Sequence, residues 1–274
     1  MRIARTTAEL RQVLDHFGPC GLVATMGALH SGHLALVKAA QTAGRPVAAS
    51  IFVNPLQFGP NEDFSRYPRD EAGDLALLEQ AGCDLVWLPD AATMYPPDAA
   101  TTISVAGPAQ LWEGSVRPGH FAGVATVVAK LFGHIRPAAS YFGEKDWQQI
   151  QVVRRMVTDL LLPVEIVAVP TMREADGLAM SSRNRYLHDA ERAAAPALYS
   201  AIATAASRIA SGSDIGQSLG LAGEALARAG MTPDYLALVH AETLEPLGTL
   251  IRPARLLAAA RLGAVRLLDN VAVG

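Results

Sequence analysis

A chain of 274 residues, half of them apolar, is long enough for one large domain or two of ordinary size around a sizeable core. With 23 Lys and Arg against 26 Asp and Glu the formal net charge is −3, without the basic excess of a general nucleic-acid binder but with room for a local phosphate site. The opening MRIARTTAELRQ lacks the apolar stretch of a secretory signal, no run of about 18 apolar residues could span a bilayer, and Cys20 and Cys83 stand in no metal or redox spacing, so a cytoplasmic location is expected.

Residues 21–25 (GLVAT) read as a buried strand, 32–42 as a helix, and 47–53 (VAASIFV) as a second strand. A helix at 69–81 carries Ala72, Leu75, Leu78 and Ala81 at spacings of three, and a strand at 85–88 is closed by Pro89. Further on come a helix at 121–132, a short strand at 140–142, a helix at 147–160 and a strand at 164–169; the Pro/Gly-rich stretches 55–60 and 95–108 read as loops. Strands alternating with helices predict a Rossmann-like, doubly wound parallel α/β sheet, whose ligands sit at the carboxyl ends of the strands. Near 170–172 the pattern changes. A long alanine-rich helix at 191–211 and another at 215–229 precede apolar segments at 235–239, 256–261 and 265–268. This predicts a smaller α+β domain at 172–274 behind a first domain at 1–171, with no internal repeat.

Five motifs carry chemistry. Thr25-Met-Gly-Ala-Leu-His30-Ser-Gly-His33 lies where the first strand passes into a helix. Gly27 and Gly32 allow a tight turn, the helix N-terminus offers N–H groups and a positive dipole end to phosphate, and His30 and His33 share a face. The competing readings are a packed loop histidine or a metal pair, for which no third ligand is evident. In SIFVNPLQF, Pro55 stops the strand and presents the amides of Asn54 and Gln57, which can read both a hydroxyl and a carboxylate. RPGHFAGV brings Arg117 and His120 to the start of a helix. FGEKDWQQ offers turn freedom at Gly143, a mobile cation at Lys145, and Asp146 as an N-cap or ribose contact. DGLAMSSRN sets hydroxyls beside Arg183 as a phosphate-gripping loop.

In this order the motifs, with ALVHAETLEPL and RLLDN further on, resemble the pantoate–β-alanine ligase (pantothenate synthetase) family over residues 20–270 or so. His-x-Gly-His alone would indicate only the wider nucleotidyltransferase superfamily; SIFVNPLQF with FGEKDWQQ is far more specific. The resemblance implies a Rossmann-like N-terminal domain, a cytoplasmic homodimer and a need for Mg²⁺; from charge and the lack of an apolar span, no nucleic-acid or membrane partner is expected. It implies two steps: ATP and pantoate give pantoyl-adenylate and pyrophosphate, then β-alanine attacks to give pantothenate and AMP.

Carried over motif by motif, the resemblance implies an ATP site from Met26, Gly27, Ala28, Leu29, His30, Ser31, Gly32 and His33, with His33 as proton donor. Gly143, Glu144, Lys145, Asp146 and Met172 would extend it, and Met180, Ser181, Ser182 and Arg183 would close over the nucleotide. His30, His33, Lys145 and Arg183 would do the catalytic work. Gln57 and Gln149 would bind pantoate, with Asn54 and Arg117 nearby and Gln57 also facing β-alanine. Two positions depart from the family: Ala24 stands where Pro is usual, and Gly73 interrupts the acidic stretch at 70–74 linked to Mg²⁺ in some relatives, so no metal ligand is assigned. A transferase that stops after joining a nucleotide to a phosphorylated substrate would want more cations and fewer amides. A non-catalytic nucleotide-binding regulator would have lost some phosphate-gripping residues. For Arg183, a fixed salt bridge between domains competes with the lid.

Overall fold

A computed structural model describes residues 1–60 and 62–274. The chain runs β1 (Arg2–Ala4), α1 (Thr7–Leu14), β2 (Gly21–Thr25), α2 (Ser31–Thr42), β3 (Val47–Ile51), α3 (Glu71–Gln80) and β4 (Leu85–Trp87). It continues through α4 (Ala91–Met94), α5 (Glu113–Val116), α6 (His120–Ile135), β5 (Ala139–Gly143), α7 (Trp147–Asp159) and β6 (Glu165–Val169). The first six strands form one parallel sheet in the order β1-β4-β3-β2-β5-β6. From β2 the chain winds outward one way through β3 and β4, then returns to build β5 and β6 on the other side. The strand order therefore reverses between β2 and β5, and a crevice opens beyond their carboxyl ends at Thr25 and Gly143.

Apolar side chains cover both faces of the sheet. On one, Leu10, Val128, Leu131, Ile150 and Met156 from α1, α6 and α7 pack around Trp87 and Leu22. On the other, Leu36, Val37 and Leu78 from α2 and α3 pack on Val23, Ala49 and Tyr141. Both clusters are what hydrophobic strands buried on two faces require.

Past β6 the chain forms α8 (Asp189–Ala194), α9 (Ala197–Ala210) and α10 (Ile215–Arg228), then β7 (Met231–His240), β8 (Ala254–Leu262) and β9 (Val265–Val273) in an antiparallel sheet ordered β7-β8-β9. Its own core sets Leu198, Ile202, Ile209 and Leu226 against Leu256, Ala258 and Leu267. The α+β character expected from the sequence is thus present. The single helix expected at 191–211 is instead two, parted at Ala195 and Pro196, because proline lacks the N–H and its ring clashes with the preceding turn. At the other end β1 and α1 extend the sheet where no element was expected; the signal was a capping box in which Thr6 Oγ1 accepts from Glu9 N at 3.2 Å and Glu9 accepts from Thr6 N. Among the described residues no helix is long and apolar enough to cross a membrane.

Candidate active site

The turn after β2 is tight because Gly27 (φ +83°) and Ala28 (φ +51°) both adopt the left-handed region. Asp74, buried at the start of α3, braces it: its carboxylate accepts from Ala28 N at 2.9 Å and Leu29 N at 2.7 Å. A β-carbon at position 27 would lie 2.8 Å from Asp74 Oδ2, so the brace also requires the glycine. Ala28 and Leu29 were expected to line the nucleotide site; their N–H groups hold the Asp74 carboxylate. Asp70 caps α3 through Gly73 N at 3.0 Å, so both acids of the 70–74 stretch serve backbone.

His30 and His33 cap α2 reciprocally. His30 Nδ1 accepts from Gly32 N at 3.1 Å and His33 Nδ1 accepts from His30 N at 3.3 Å, with ring centroids 4.2 Å apart. A β-carbon at Gly32 would come 2.8 Å from His30 Cε1, so the ring folds back only over glycine. Burial, then the nearby Lys145 and Arg185 charges, pull the His30 pKa down to about 4; burial and His30 itself pull His33 down to about 3. Both imidazoles are therefore neutral near pH 7. With each Nδ1 acting as acceptor, the proton sits on Nε2, giving two uncharged N–H donors on the wall of one cavity. No group of three or more His, Cys, Asp or Glu able to hold a metal ion occurs among the described residues.

That cavity, of about 250 Å³, lies at the carboxyl ends of β2, β3 and β5 and extends to the loop after β6. Met26, Gly143, Lys145 and Asp146 line it on the sheet side, Met172, Met180, Ser181, Ser182 and Arg183 on the other, and Asn54, Gln57, Gln149 and Arg117 at the base. Ser182 Oγ donates to Ala28 O at 3.0 Å and Ser31 Oγ to Met180 Sδ at 2.9 Å, which fastens the 180–183 segment against the histidine turn. Gly27, Ala28, Leu29 and Ser31 shape the turn from behind the cavity wall. Gly143 has an ordinary extended φ of −72°, and a β-carbon there would meet nothing within 4 Å. Its glycine is thus not needed for the turn, contrary to expectation; it leaves bare backbone on the cavity side.

The amides divide into two kinds. Asn54 is buried and fully engaged: Nδ2 donates to Gln57 Oε1 at 3.0 Å and Gly123 O at 3.1 Å, while Oδ1 accepts from Leu56 N and from Tyr95 Oη at 2.8 Å. It steadies Gln57, and each of its side-chain polar atoms is already engaged within the chain. Gly123 lets α6 approach the 55–57 turn, since a β-carbon would lie 2.3 Å from Leu56 O. His120 Nδ1 lies 2.8 Å from Gln57 O and donates to it. Gln57 Nε2 faces Met26 Sδ at 3.2 Å, a weak acceptor that a polar ligand displaces readily, and Gln149 lines the cavity.

The cations also divide. Arg117 is bidentate with Glu62, Nε at 2.8 Å and Nη2 at 2.6 Å, and reaches Glu113 at 3.3 Å. Arg183 is bidentate with Asp63 at 3.0 and 2.8 Å and lies over the Phe58 and Tyr67 rings. Burial would raise the Glu62 and Asp63 pKa values, but these arginines hold both below the usual carboxylate range. Each guanidinium thus has a carboxylate, and the Arg183 pair, the salt bridge that competed with the lid reading, ties the 180–183 segment to the first sheet's loop. Glu144, expected to contact nucleotide, turns away to Arg255 Nη2 at 3.0 Å. Asp146 precedes α7 without capping it; its Oδ1 accepts from Lys145 Nζ at 3.2 Å. Asp74 and Asn270 are the residues that sequence reasoning missed; Asn270 lay in the noted RLLDN segment.

The chain is similar along its whole length to a family described as pantoate-beta-alanine ligase, whose model matches residues 2–272. It is 58% identical to a pantothenate synthetase of Acidiphilium cryptum, all of both chains being covered. The crystal structure of pantothenate synthetase from Thermus thermophilus superimposes with a TM-score of 0.95 at 52% identity, covering 99% of each chain. A pantoate-beta-alanine ligase from Francisella tularensis, solved with beta-gamma ATP and beta-alanine, does so with a TM-score of 0.85 at 31% identity, covering 99% of this chain and 97% of that one. With the histidine turn, the paired amides and Lys145 gathered at one switch point, this chain belongs to the pantoate–β-alanine ligase family.

Proposed function

We propose that this chain condenses pantoate with β-alanine at the expense of ATP, through a pantoyl-adenylate, releasing pyrophosphate in the first step and AMP in the second. The observation that carries the reading is the pair of neutral Nε2–H imidazoles in one cavity with Lys145 and the amides of Gln57 and Gln149. A carboxylate is a poor acylating agent, and adenylation supplies a leaving group. Attack on the α-phosphate and departure of pyrophosphate both build negative charge on oxygen, and N–H donors already aimed there stabilise it without reorganisation. In this reading His33 and His30 are those donors, and Lys145 swings from Asp146 onto the phosphates. Gln57, held by Asn54, pairs with Gln149 to hold pantoate at its hydroxyls and carboxylate. β-Alanine then attacks the acyl carbon beside Gln57.

Mg²⁺ belongs to the same reading as an ion carried by the triphosphate. Both Asp74 oxygens accept backbone N–H groups, so Asp146 is the carboxylate of the cavity wall that could hold it, with phosphate oxygens and water completing the shell. Bound there, the ion would neutralise charge on the pyrophosphate. Residues 1–171 act as the nucleotide and pantoate domain and 172–274 as a lid, in which Arg183 exchanges Asp63 for phosphate on closure. Closure shields the acyl-adenylate from water. A cytoplasmic homodimer completes the proposal.

The test is isotope exchange. Labelled pyrophosphate should enter ATP with pantoate alone, while AMP and pantothenate should accumulate only when β-alanine is added, read by mass spectrometry. Exchange that strictly required β-alanine would exclude the adenylate scheme.

A further inference from the structure

Strand β9 carries adjacent polar residues, Asp269 and Asn270, that are 2% and 5% exposed in a sheet whose other buried side chains are mostly Leu, Val and Ala. Asp269 pairs with Arg173 at 2.6 and 2.9 Å, within its own half of the molecule. Asn270 reaches across instead. Its Nδ2 donates to Glu144 O and to Lys145 O, both at 2.8 Å, and its Oδ1 accepts from Arg255 Nη1. That guanidinium lies 3.6 Å over the Trp147 ring and pairs with Glu144 Oε2, while Trp147 Nε1 donates to Ala241 O at 2.6 Å. The 3-10 turn at Glu144–Asp146 is therefore gripped on both sides by the antiparallel sheet.

One carboxamide thus binds two successive carbonyls, fixing the peptide planes on either side of the Lys145 Cα and, with them, the direction in which that side chain leaves the backbone. Lys145 has a long flexible stem, and its resting contact is Asp146 at 3.2 Å. Where its ammonium is delivered depends on how the backbone aims it. We propose that Asn270 is a positioning residue for adenylyl transfer: from the second domain it aims Lys145 at the triphosphate. This rests on the reading that Lys145 binds phosphate.

The chemistry of the contact requires an amide at 270. Aspartate is isosteric and keeps the oxygen for Arg255, but sets a charged acceptor against two carbonyls. Alanine removes the one side-chain donor that reaches both carbonyls.

The experiment is a double-mutant cycle on the full chain with Lys145→Ala and Asn270→Ala. It reads the affinity for a non-hydrolysable ATP analogue by calorimetry, and kcat and KM in pyrophosphate exchange. Asn270→Ala should weaken the analogue by about 10-fold and slow exchange by about 10-fold with pantoate KM within about twofold, and should add less than about twofold once Lys145 is alanine, the non-additivity expected of residues acting as one unit. Asn270→Asp gives the same cycle if the alanine variant folds poorly. Asp269→Asn, which breaks the neighbouring ion pair, should combine additively with Lys145→Ala and so marks what destabilisation alone does. Additive effects of Asn270 and Lys145, or unchanged analogue affinity in either Asn270 variant, would overturn the positioning role. If Lys145→Ala itself left affinity and exchange unaltered, the phosphate role of Lys145 would fail first.

Discussion

Two turns face each other across the crevice, one after β2 and one after β5, and they are built on opposite plans. The histidine turn is held from within its own sheet: Asp74 takes two of its N–H groups, and the imidazoles cap the helix they begin. The lysine turn is held from the other half of the molecule, by Asn270, Arg255 and the Ala241 carbonyl. One half of the site is set when the first sheet folds. The other is held by the antiparallel unit, so if Lys145 has the proposed role, docking and catalytic competence are coupled.

The largest expected effect falls on the locally held half. His33→Ala and His30→Ala should each slow pyrophosphate exchange by about 10²-fold or more, the cost of losing one transition-state donor, with circular dichroism unchanged. Near-native exchange in either variant would remove that imidazole from the mechanism. Asp74→Ala should destabilise the chain by about 1–3 kcal/mol, because it strands the Ala28 and Leu29 N–H groups in a buried turn. It should slow exchange while leaving the Lys145 turn intact, so a chemical melt together with Lys145 reactivity toward an amine reagent separates the two plans.

Acid sharpens the comparison further. His30, His33 and His120 have pKa values of about 4, 3 and 4 in the folded chain, below the ordinary value of 6.5, and burial is the leading cause in each. The unfolded chain therefore binds protons that the native chain refuses. The stability these groups contribute is whole above pH 6.5 and is lost as pH falls toward 4, by up to about 1.4 kcal/mol per pH unit for a buried group such as His120. Denaturant melts between pH 7 and pH 4.5 should show this slope, and His120→Gln should flatten it; an unchanged slope would mean that His120 titrates normally. The smallest effect is on the proposed lid. Asp63→Asn should free Arg183 and lower the ATP KM by about threefold, an ion-pair exchange of modest size. Hydrogen exchange across residues 176–186 should show ATP protecting the segment in the native chain; a higher ATP KM in Asp63→Asn would mean the pair helps form the closed state.

The alternation of strands and helices made the parallel sheet legible, and His-x-Gly-His at a strand–helix junction located the crevice, because both are local patterns. Other features were visible but passed over: Pro196 inside a helical run, and Thr6 with Glu9 before α1. What was not legible is pairing at a distance. Nothing near Arg117 or Arg183 in sequence announces Glu62 or Asp63, 55 and 120 positions away, so neither partner was named, although a salt bridge was weighed for Arg183. Asp74 and Asn270 act on backbone 45 to 126 positions away, and their effect is to place other residues, for which no spacing rule exists. Glu144 misled because a motif signals that a segment matters without saying which way each side chain points.

The protonation state of the two histidines bears on how products leave. A cation attracts any anion at long range, the departing pyrophosphate included, and such attraction falls only with the first power of distance. An uncharged N–H acts as a dipole whose pull fades faster, so it grips an oxygen firmly at hydrogen-bond contact and lets go within a few ångströms. Two imidazoles kept neutral by burial therefore discriminate by position more than by sign of charge. In the proposed mechanism they would stabilise charge where it forms and add little to the retention of a pyrophosphate that has begun to move away.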